Sequence, residues 1–227
     1  MLIYGSLPSD ATRDLFGDKT RGKILAASLN CFNEDGFDRV TTAQLAETAD
    51  VLAGTLWYHF KAKNDLVLAH LEVFEARLDT HLSGEIAGSP DAIVADFLDT
   101  FGILWEFRYL LRDPLSALDA DGSIRLRLRD TYQLIEQRTE SRIRQAVTLG
   151  FMDIEDADTP SLALSCIVIG RYWFDYARIR FDGDPDGSDL RLQCMQQVLS
   201  VIWPYFTDKA RDLIASSKVD EALTKTR

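Results

Sequence analysis

The chain has 227 residues, a formal net charge of -11 and 46% hydrophobic residues. This composition predicts a folded small domain joined to a larger one and excludes a disordered protein. No apolar run approaches the ~20 residues that span a bilayer, and residues 1–18 lack a signal-peptide pattern, so we expect a cytoplasmic protein without a membrane partner.

The first predicted helix, about Thr20 to Asp35, is the scaffold of a small helical module. Leu25 and Leu29 lie four residues apart, as on one buried helix face. Gly36 is expected to end the helix, with Phe37 folding back as the hydrophobic contact of a Schellman motif.

Two short helices joined by a tight turn follow. Thr41 and Gln44 have the spacing of a capping box, which starts a helix at Thr42. Asp50 tolerates the left-handed backbone of a turn. A second helix, about Ala53 to Phe60, buries one side and leaves the other outward, as in a helix-turn-helix that reads DNA.

The run from Gly54 to Phe60, with Lys63, Asp65 and Leu66 behind it, closely resembles the signature of the TetR (tetracycline-repressor-like) family. The match covers roughly fifty residues, the size of one small module. It extends back through these residues: Arg21, Ile24, Ala27, Phe32, Gly36, Phe37, Val40 and Thr42. Beyond Leu82 the resemblance is architectural only.

The resemblance implies a ligand-responsive transcriptional regulator, more often a repressor, that binds a near-palindromic DNA operator as a homodimer and is released by a small-molecule effector. It implies backbone contacts from Thr42, Tyr58, His59 and Lys63. Trp57 is expected to pack between the helices of the module. The candidate DNA-binding residues are Thr42, Gln44, Ala53, Gly54, Thr55, Tyr58, His59 and Lys63.

The recognition helix departs from the family pattern at two positions. Leu52 stands where the family usually has a Ser or Thr cap, and Ala53 stands where it often has a long polar reader. We therefore expect sparse hydrogen-bond readout, with Ala53 and Thr55 touching thymine methyl groups and Gln44 reaching a base edge or phosphate. Part of the site would be read by shape. Lys19 and Arg21 either enter a minor groove or form a solvated basic helix start.

The acidic net charge does not exclude DNA binding. The segment from Lys19 to His70 holds six basic and six acidic residues, so the whole deficit lies outside it. Local charge governs phosphate contact, whereas the acidic remainder discourages general coating of DNA.

The rest of the chain predicts further helices, and no segment alternates like a strand. A long helix begins at Lys63, and others are expected at about 91–112, 122–149, 160–181 and 188–206, with a shorter one after Asp208. The fold class is therefore all-α. The predicted domains are an N-terminal arm (1–18), a three-helix helix-turn-helix DNA-binding domain (19–66), a larger helical ligand-binding and dimerisation domain (67–215) and a C-terminal tail (216–227).

Two late helices are apolar on more than one side, namely Leu162 to Ile169 and the segment around Met195. Because a helix buries two faces only between neighbours, the second face predicts a four-helix interface in a homodimer. The alternative is that one large monomeric core buries both faces.

An aromatic row predicts the effector site. Phe97, Phe101 and Trp105 recur every four residues, which favours an apolar or aromatic ligand, although ordinary cores show the same pattern. Arg108 would orient a polar ligand group or pair with an acidic residue; for the arginines of this region the candidates are Asp99, Asp113 and Asp175. The full candidate set is Phe97, Phe101, Trp105, Arg108, Tyr132, Ile169, Tyr172 and Trp173.

The sequence contains no pattern that indicates a cofactor, a metal site or an enzymatic activity. The three cysteines and three histidines lack ligand spacing, and no nucleophile stands beside a histidine. Residues 182–187 match the opening of a calcium loop, but Gln193 occupies the position of the bidentate Glu. The remaining alternative is a small-molecule carrier or partner-binding protein whose head no longer reads DNA, as Leu52 and Ala53 would suggest.

Overall fold

A computed structural model describes residues 8–85, 89–112, 122–180 and 187–215. These residues form helices, and the predicted all-α class is confirmed. The helices are α1 Asp10–Phe16, α2 Thr20–Asp35, α3 Thr42–Thr48, α4 Ala53–His59, α5 Lys63–Leu82, α6 Pro90–Glu106, α7 Arg108–Arg112, α8 Ser123–Thr148, α9 Thr159–Arg180, α10 Gly187–Ile202 and α11 Asp208–Ala215. Short 3-10 turns cover Asp156–Asp158 and Trp203–Tyr205.

The chain divides into two compact units. The first comprises residues up to Arg77 together with Ile103–Thr131, and the second comprises Leu78–Gly102 and the residues from Tyr132 onward. The domain boundaries expected from the sequence stay predictions.

Helix α1 lies within residues 1–18, to which the sequence analysis assigned no helix. Ser9 caps it, because the Ser9 side chain accepts a hydrogen bond from the amide of Thr12. Thr12 and Phe16 are buried. The helix has only seven residues, too few for a clear apolar period, so its stability comes from packing on the first unit.

The single helix predicted at 91–112 is wrong, because the chain breaks between α6 and α7 at Phe107. The buried side chain of Asn33 supplies the reason. Its Nδ2 donates to the carbonyl of Glu106 at 2.8 Å, and its Oδ1 accepts from the amide of Tyr109 at 3.0 Å. An unbroken helix would pair that amide with the carbonyl of Trp105, which here accepts from the Arg108 guanidinium.

The core of the first unit contains a buried histidine. The Nε2 of His70 lies 3.0 Å from the carbonyl of Leu25, and Nδ1 lies 2.7 Å from the Tyr109 hydroxyl. Nε2–H therefore donates to the carbonyl while Nδ1 accepts from tyrosine, which is the arrangement of a neutral ring. Burial lowers the pKa of His70 to about 4 and raises the pKa of Tyr109 well above its usual value.

The second unit is built around α9 and α10. Its cluster of buried apolar side chains joins α8, α9 and the segment after α10, with Ile143, Met152, Leu162 and Ala163 at its centre. Cys166 and Cys194 are free, and burial raises the pKa of their thiols to about 11 and about 12. Such thiols are poor nucleophiles, as expected for apolar packing residues.

Candidate nucleic-acid interface

Helix α3 begins in the predicted capping box. The side chain of Thr41 accepts from the amide of Gln44 at 3.2 Å, and Gln44 Oε1 accepts from the amide of Thr41 at 2.8 Å. The turn after α3 contains Asp50 with φ of 54°, as its residue type indicated. Because Oε1 of Gln44 is engaged, only its NH2 group is left to donate to a base edge or a phosphate.

Helix α4 has one buried and one exposed side. Leu56 and the following Phe60 are buried, whereas Ala53 and Gly54 are exposed and Thr55 and His59 are half-buried. Leu52 and Tyr58 are 81% and 76% exposed. The outward surface of this helix is therefore the one that the sequence predicted for DNA contact.

Trp57 is partly exposed. Its relative exposure is 40%, so part of the indole reaches the outward side of α4, and its packing between helices stays a prediction. Its place in the chain accounts for this exposure, because it directly follows the inward-facing Leu56 and successive side chains of an α-helix are rotated by about 100°.

The end of α4 is held by local contacts. The Lys61 ammonium donates to the carbonyls of Trp57 and Tyr58, at 3.0 and 3.4 Å. The Asp65 carboxylate accepts from the amides of Lys61 and Ala62, at 2.7 and 3.0 Å. These bonds satisfy groups that helix ends leave open and fix the exit from the recognition helix.

Lys63 points into the first unit. Its ammonium donates to the carbonyl of Phe37 and, at 2.8 Å, to that of Val40, and it lies 4.1 Å from the centre of the Phe37 ring. Burial lowers the pKa of Lys63, while nearby Asp38 opposes the shift. The lysine thus links α5 to the loop between α2 and α3. Its phosphate contact stays a prediction.

Exposed cations lie on the same unit as α4. The Arg21 guanidinium lies 5.2 Å from the Phe60 ring, at the C-terminal end of α4. Lys19, Lys23 and Arg39 are exposed as well. A surface with exposed cations around an exposed helix suits phosphate contact.

The predicted effector residues are divided between the two units. Trp105 and Arg108 belong to the first unit, where both are buried, and the Arg108 guanidinium lies 4.7 Å from the Trp105 ring. The other candidates belong to the second unit: Phe97, Phe101, Tyr132, Ile169, Tyr172 and Trp173.

In the second unit, Arg171 connects two helices. Its Nε donates to the Tyr132 hydroxyl at 3.1 Å, and its NH1 lies 3.3 Å from the Asp175 carboxylate. Asp175 was one of the partners that the sequence allowed for such an arginine. The Trp173 indole donates to the carbonyl of Leu190 at 2.9 Å, so this ring joins α9 to α10.

Tyr172 does not fit an enclosed ligand site. Its side chain is 61% exposed and lies in an outward apolar stripe of α9 whose members recur every three or four residues. The stripe consists of Leu164, Val168, Tyr172, Tyr176 and Ile179. The opposite side of α9 carries the buried Leu162 and Ala163. The helix thus has two apolar faces, as its sequence predicted.

The described residues also bear on membrane insertion and on metal binding. Within the described ranges, no helix is long and apolar enough to cross a membrane. The same residues include no group of three or more metal-ligating side chains placed to hold an ion. The calcium-like segment falls at 182–187, of which residues 182–186 lie outside the described residues.

Comparison with known proteins identifies both halves of the chain. Residues 24–70 match the family described as bacterial regulatory proteins of the tetR family, and residues 73–214 match the TetR family of bacterial transcriptional repressors. The HTH-type transcriptional repressor AcnR of Corynebacterium jeikeium is 31% identical over 154 residues, which cover 63% of this chain and 77% of AcnR.

Solved structures share the fold. A TetR-family transcriptional regulator from Marinobacter aquaeolei aligns with a TM-score of 0.79 and 24% identity, covering 92% of this chain and all of the other. The SmeT–triclosan complex aligns with a TM-score of 0.62 and 22% identity, covering 88% and 94%; SmeT is a repressor of a Stenotrophomonas maltophilia multidrug efflux pump. The capped helix-turn-helix and the two family matches together show that this chain belongs to the TetR family of bacterial transcriptional regulators.

Proposed function

We propose that the protein is a ligand-responsive repressor that binds a near-palindromic operator as a homodimer and is released by a small apolar or aromatic effector. The observation that carries the DNA-binding part is the outward face of α4, which stands exposed on a locally capped helix-turn-helix. The protein acts by binding and not by catalysis.

The DNA contacts divide into phosphate and base contacts. Tyr58 and His59 pack edge to face with ring centres 5.2 Å apart, and the exposure of Tyr58 supports its proposed role as a phosphate donor. Thr42 and Gln44 offer donors at the start of α3. Ala53, Gly54 and Thr55 are the candidates for base contact, and Lys63 would reach a phosphate only by leaving its carbonyl partners.

The outward stripe of α9 supports the dimer. Its five large apolar side chains are exposed in one chain, and contiguous exposed apolar surfaces mark association sites. A second copy covers this stripe with its own, in an isologous interface. A dimer presents two α4 helices to successive major grooves when their separation is near one DNA turn, ~34–36 Å.

The effector proposal rests on aromatic residues of α6. Phe97 and Phe101, which belong to the second unit, lie four residues apart on this helix, and SmeT, which has the same fold, forms a complex with triclosan. An effector releases DNA only if it binds the non-binding arrangement more tightly than the other.

Within the first unit, the end of α6 is bonded to the scaffold helix of the reading head. The buried Glu106 carboxylate accepts from the amide and hydroxyl of Ser9, at 2.6 and 3.0 Å, and lies 3.7 Å from Arg77. Asn33 of α2 holds the Glu106 carbonyl. A displacement of this end of α6 therefore acts directly on the scaffold helix of the reading head.

Selection of bound duplexes from random DNA tests the proposal. We expect the wild-type protein to enrich an inverted repeat. Tyr58→Ala should weaken binding to this repeat about tenfold or more, because a charged hydrogen bond is lost. The control Leu126→Ala, which truncates an exposed side chain on α8, should not change the affinity. Triclosan serves as the first effector probe. Failure of the folded dimer to enrich any sequence would favour the alternative, a carrier whose apolar Leu52 and Ala53 mark a silenced head.

A further inference from the structure

Leu52 occupies a position that neither capping nor packing explains. As the N-cap of α4 it contributes only its carbonyl, which accepts from the amides of Thr55 and Leu56 at 2.9 and 3.1 Å. Its side chain makes no capping hydrogen bond and is exposed. A Ser, Thr, Asp or Asn at an N-cap typically adds about 0.5–2 kcal/mol of stability over an apolar residue. A leucine here breaks a local rule, as functional positions do.

Leu52 and the three residues that follow it form a largely apolar edge at the start of α4. Ala53 and Gly54 are exposed, and a Cβ added at Gly54 would meet no atom within 4 Å. Thr55, which is half-buried, carries the one hydrogen-bonding side chain among these four residues. This edge therefore offers little to the donors and acceptors of base pairs. The apolar group that standard bases present in the major groove is the C5-methyl of thymine.

The surroundings of α4 favour DNA over a protein as the occupant of this edge. Lys61 binds the carbonyls at the end of the same helix, Arg21 lies over Phe60, and both cations are exposed. Tyr58, which is exposed, follows Leu52 by six residues on the same helix. The apolar edge can contact thymine methyl groups, while the cations and Tyr58 around it can contact the flanking phosphates.

We infer that Leu52 is a specificity-determining residue: its side chain packs on the C5-methyl of one thymine in each operator half-site, so that this base pair is selected by its methyl group. The inference rests on the proposed function and assigns the chemical class that the start of α4 reads.

Deoxyuridine substitution isolates the methyl group. In the duplex enriched from random DNA, each thymine is replaced in turn by deoxyuridine, which keeps the base pairing and removes only the methyl, and affinity is measured by fluorescence anisotropy. For the wild type we expect a loss of about fourfold at one position per half-site, the value of one buried methyl group. Leu52→Ala should bind thymine and deoxyuridine duplexes equally, whereas Leu52→Met and the matched control Leu126→Ala should keep the preference.

Three results would overturn the inference while leaving the proposed function intact. One is an enriched site in which no deoxyuridine weakens binding. Another is a methyl preference that persists in Leu52→Ala, which would assign it to Ala53 or Thr55. The third is an equal loss of affinity by Leu52→Ala for enriched and scrambled DNA, with helicity unchanged. Absence of any enriched site would remove the proposed function and this inference together.

Discussion

At the scale of single residues, a substitution at Gly54 should affect the stability of the fold and the affinity for DNA in opposite directions. A Cβ at this position meets no atom within 4 Å in the free protein, and the residue lies in the first turn of α4. Gly54→Ala should therefore raise the free energy of unfolding by at most about 1 kcal/mol, because alanine loses less backbone entropy.

The same change should weaken operator binding, because the methyl group enters the space that bases approach. We expect a loss of about tenfold by fluorescence anisotropy, the size of one disturbed base contact. Gly84→Ala, where a Cβ meets only the His81 carbonyl at 3.6 Å, is the control and should bind normally. Normal binding by Gly54→Ala would mean that the start of α4 does not approach the DNA.

His70 predicts a dependence of stability on pH. Its pKa falls from 6.5 in an unfolded chain to about 4 in the folded protein, so the unfolded state binds the proton first. The stabilisation is fully present above pH 6.5 and is lost as the pH falls toward 4. We expect His70 to account for about 2 kcal/mol of lost unfolding free energy between pH 7.5 and 5.

Urea unfolding at several pH values checks this. His70→Gln, although less stable at neutral pH, should lose less stability over that range than the wild type. Parallel pH profiles for the two proteins would show that His70 is not buried in its neutral form.

At the scale of elements, Asn33 determines where α6 ends. Its amide side chain bonds the Glu106 carbonyl and the Tyr109 amide, and all three lie in the buried interior of the first unit. Asn33→Leu removes both bonds and leaves the two backbone groups buried without partners, which costs about 1–3 kcal/mol each.

Chemical denaturation should therefore show Asn33→Leu to be less stable by at least about 2 kcal/mol. Asn30→Leu, three residues earlier on α2 and half-buried, should change stability by less than about 1 kcal/mol. If the two variants are equally stable, the break at Phe107 does not depend on Asn33.

The helices differ in how well the sequence predicts them. The helices around the DNA-reading turn follow local signals, such as the Thr41–Gln44 capping box and the glycine after α2, and the sequence located them closely. The break between α6 and α7 depends on Asn33, more than seventy residues away, so no local pattern marks it. The inward turn of Lys63 likewise depends on carbonyls in a distant loop.

At the scale of the whole molecule, the outward stripe of α9 predicts a dimer. Sedimentation velocity should give a mass near twice the 25.6 kDa of one chain. Tyr172→Glu should shift the protein toward the monomer at micromolar concentration and weaken operator binding, because a charge in an apolar interface is not compensated. Leu126→Glu, at a comparably exposed position on α8, should remain dimeric. A monomeric wild type would contradict the interface.

Tyr172 also illustrates the limit of sequence at this scale. Tyr172 was included among the predicted ligand-binding residues, yet its side chain lies on the outer surface of α9. Composition alone does not distinguish the inner from the outer face of a helix that is apolar on both sides.

The most direct test of the central claim is a titration of the enriched duplex and a scrambled duplex with the same protein at 150 mM salt. We predict two chains per enriched duplex and an affinity at least ~1,000-fold higher than for scrambled DNA. Equal affinity for the two duplexes, with the dimer intact, would contradict a sequence-specific regulator. It would indicate that the protein binds DNA through charge alone.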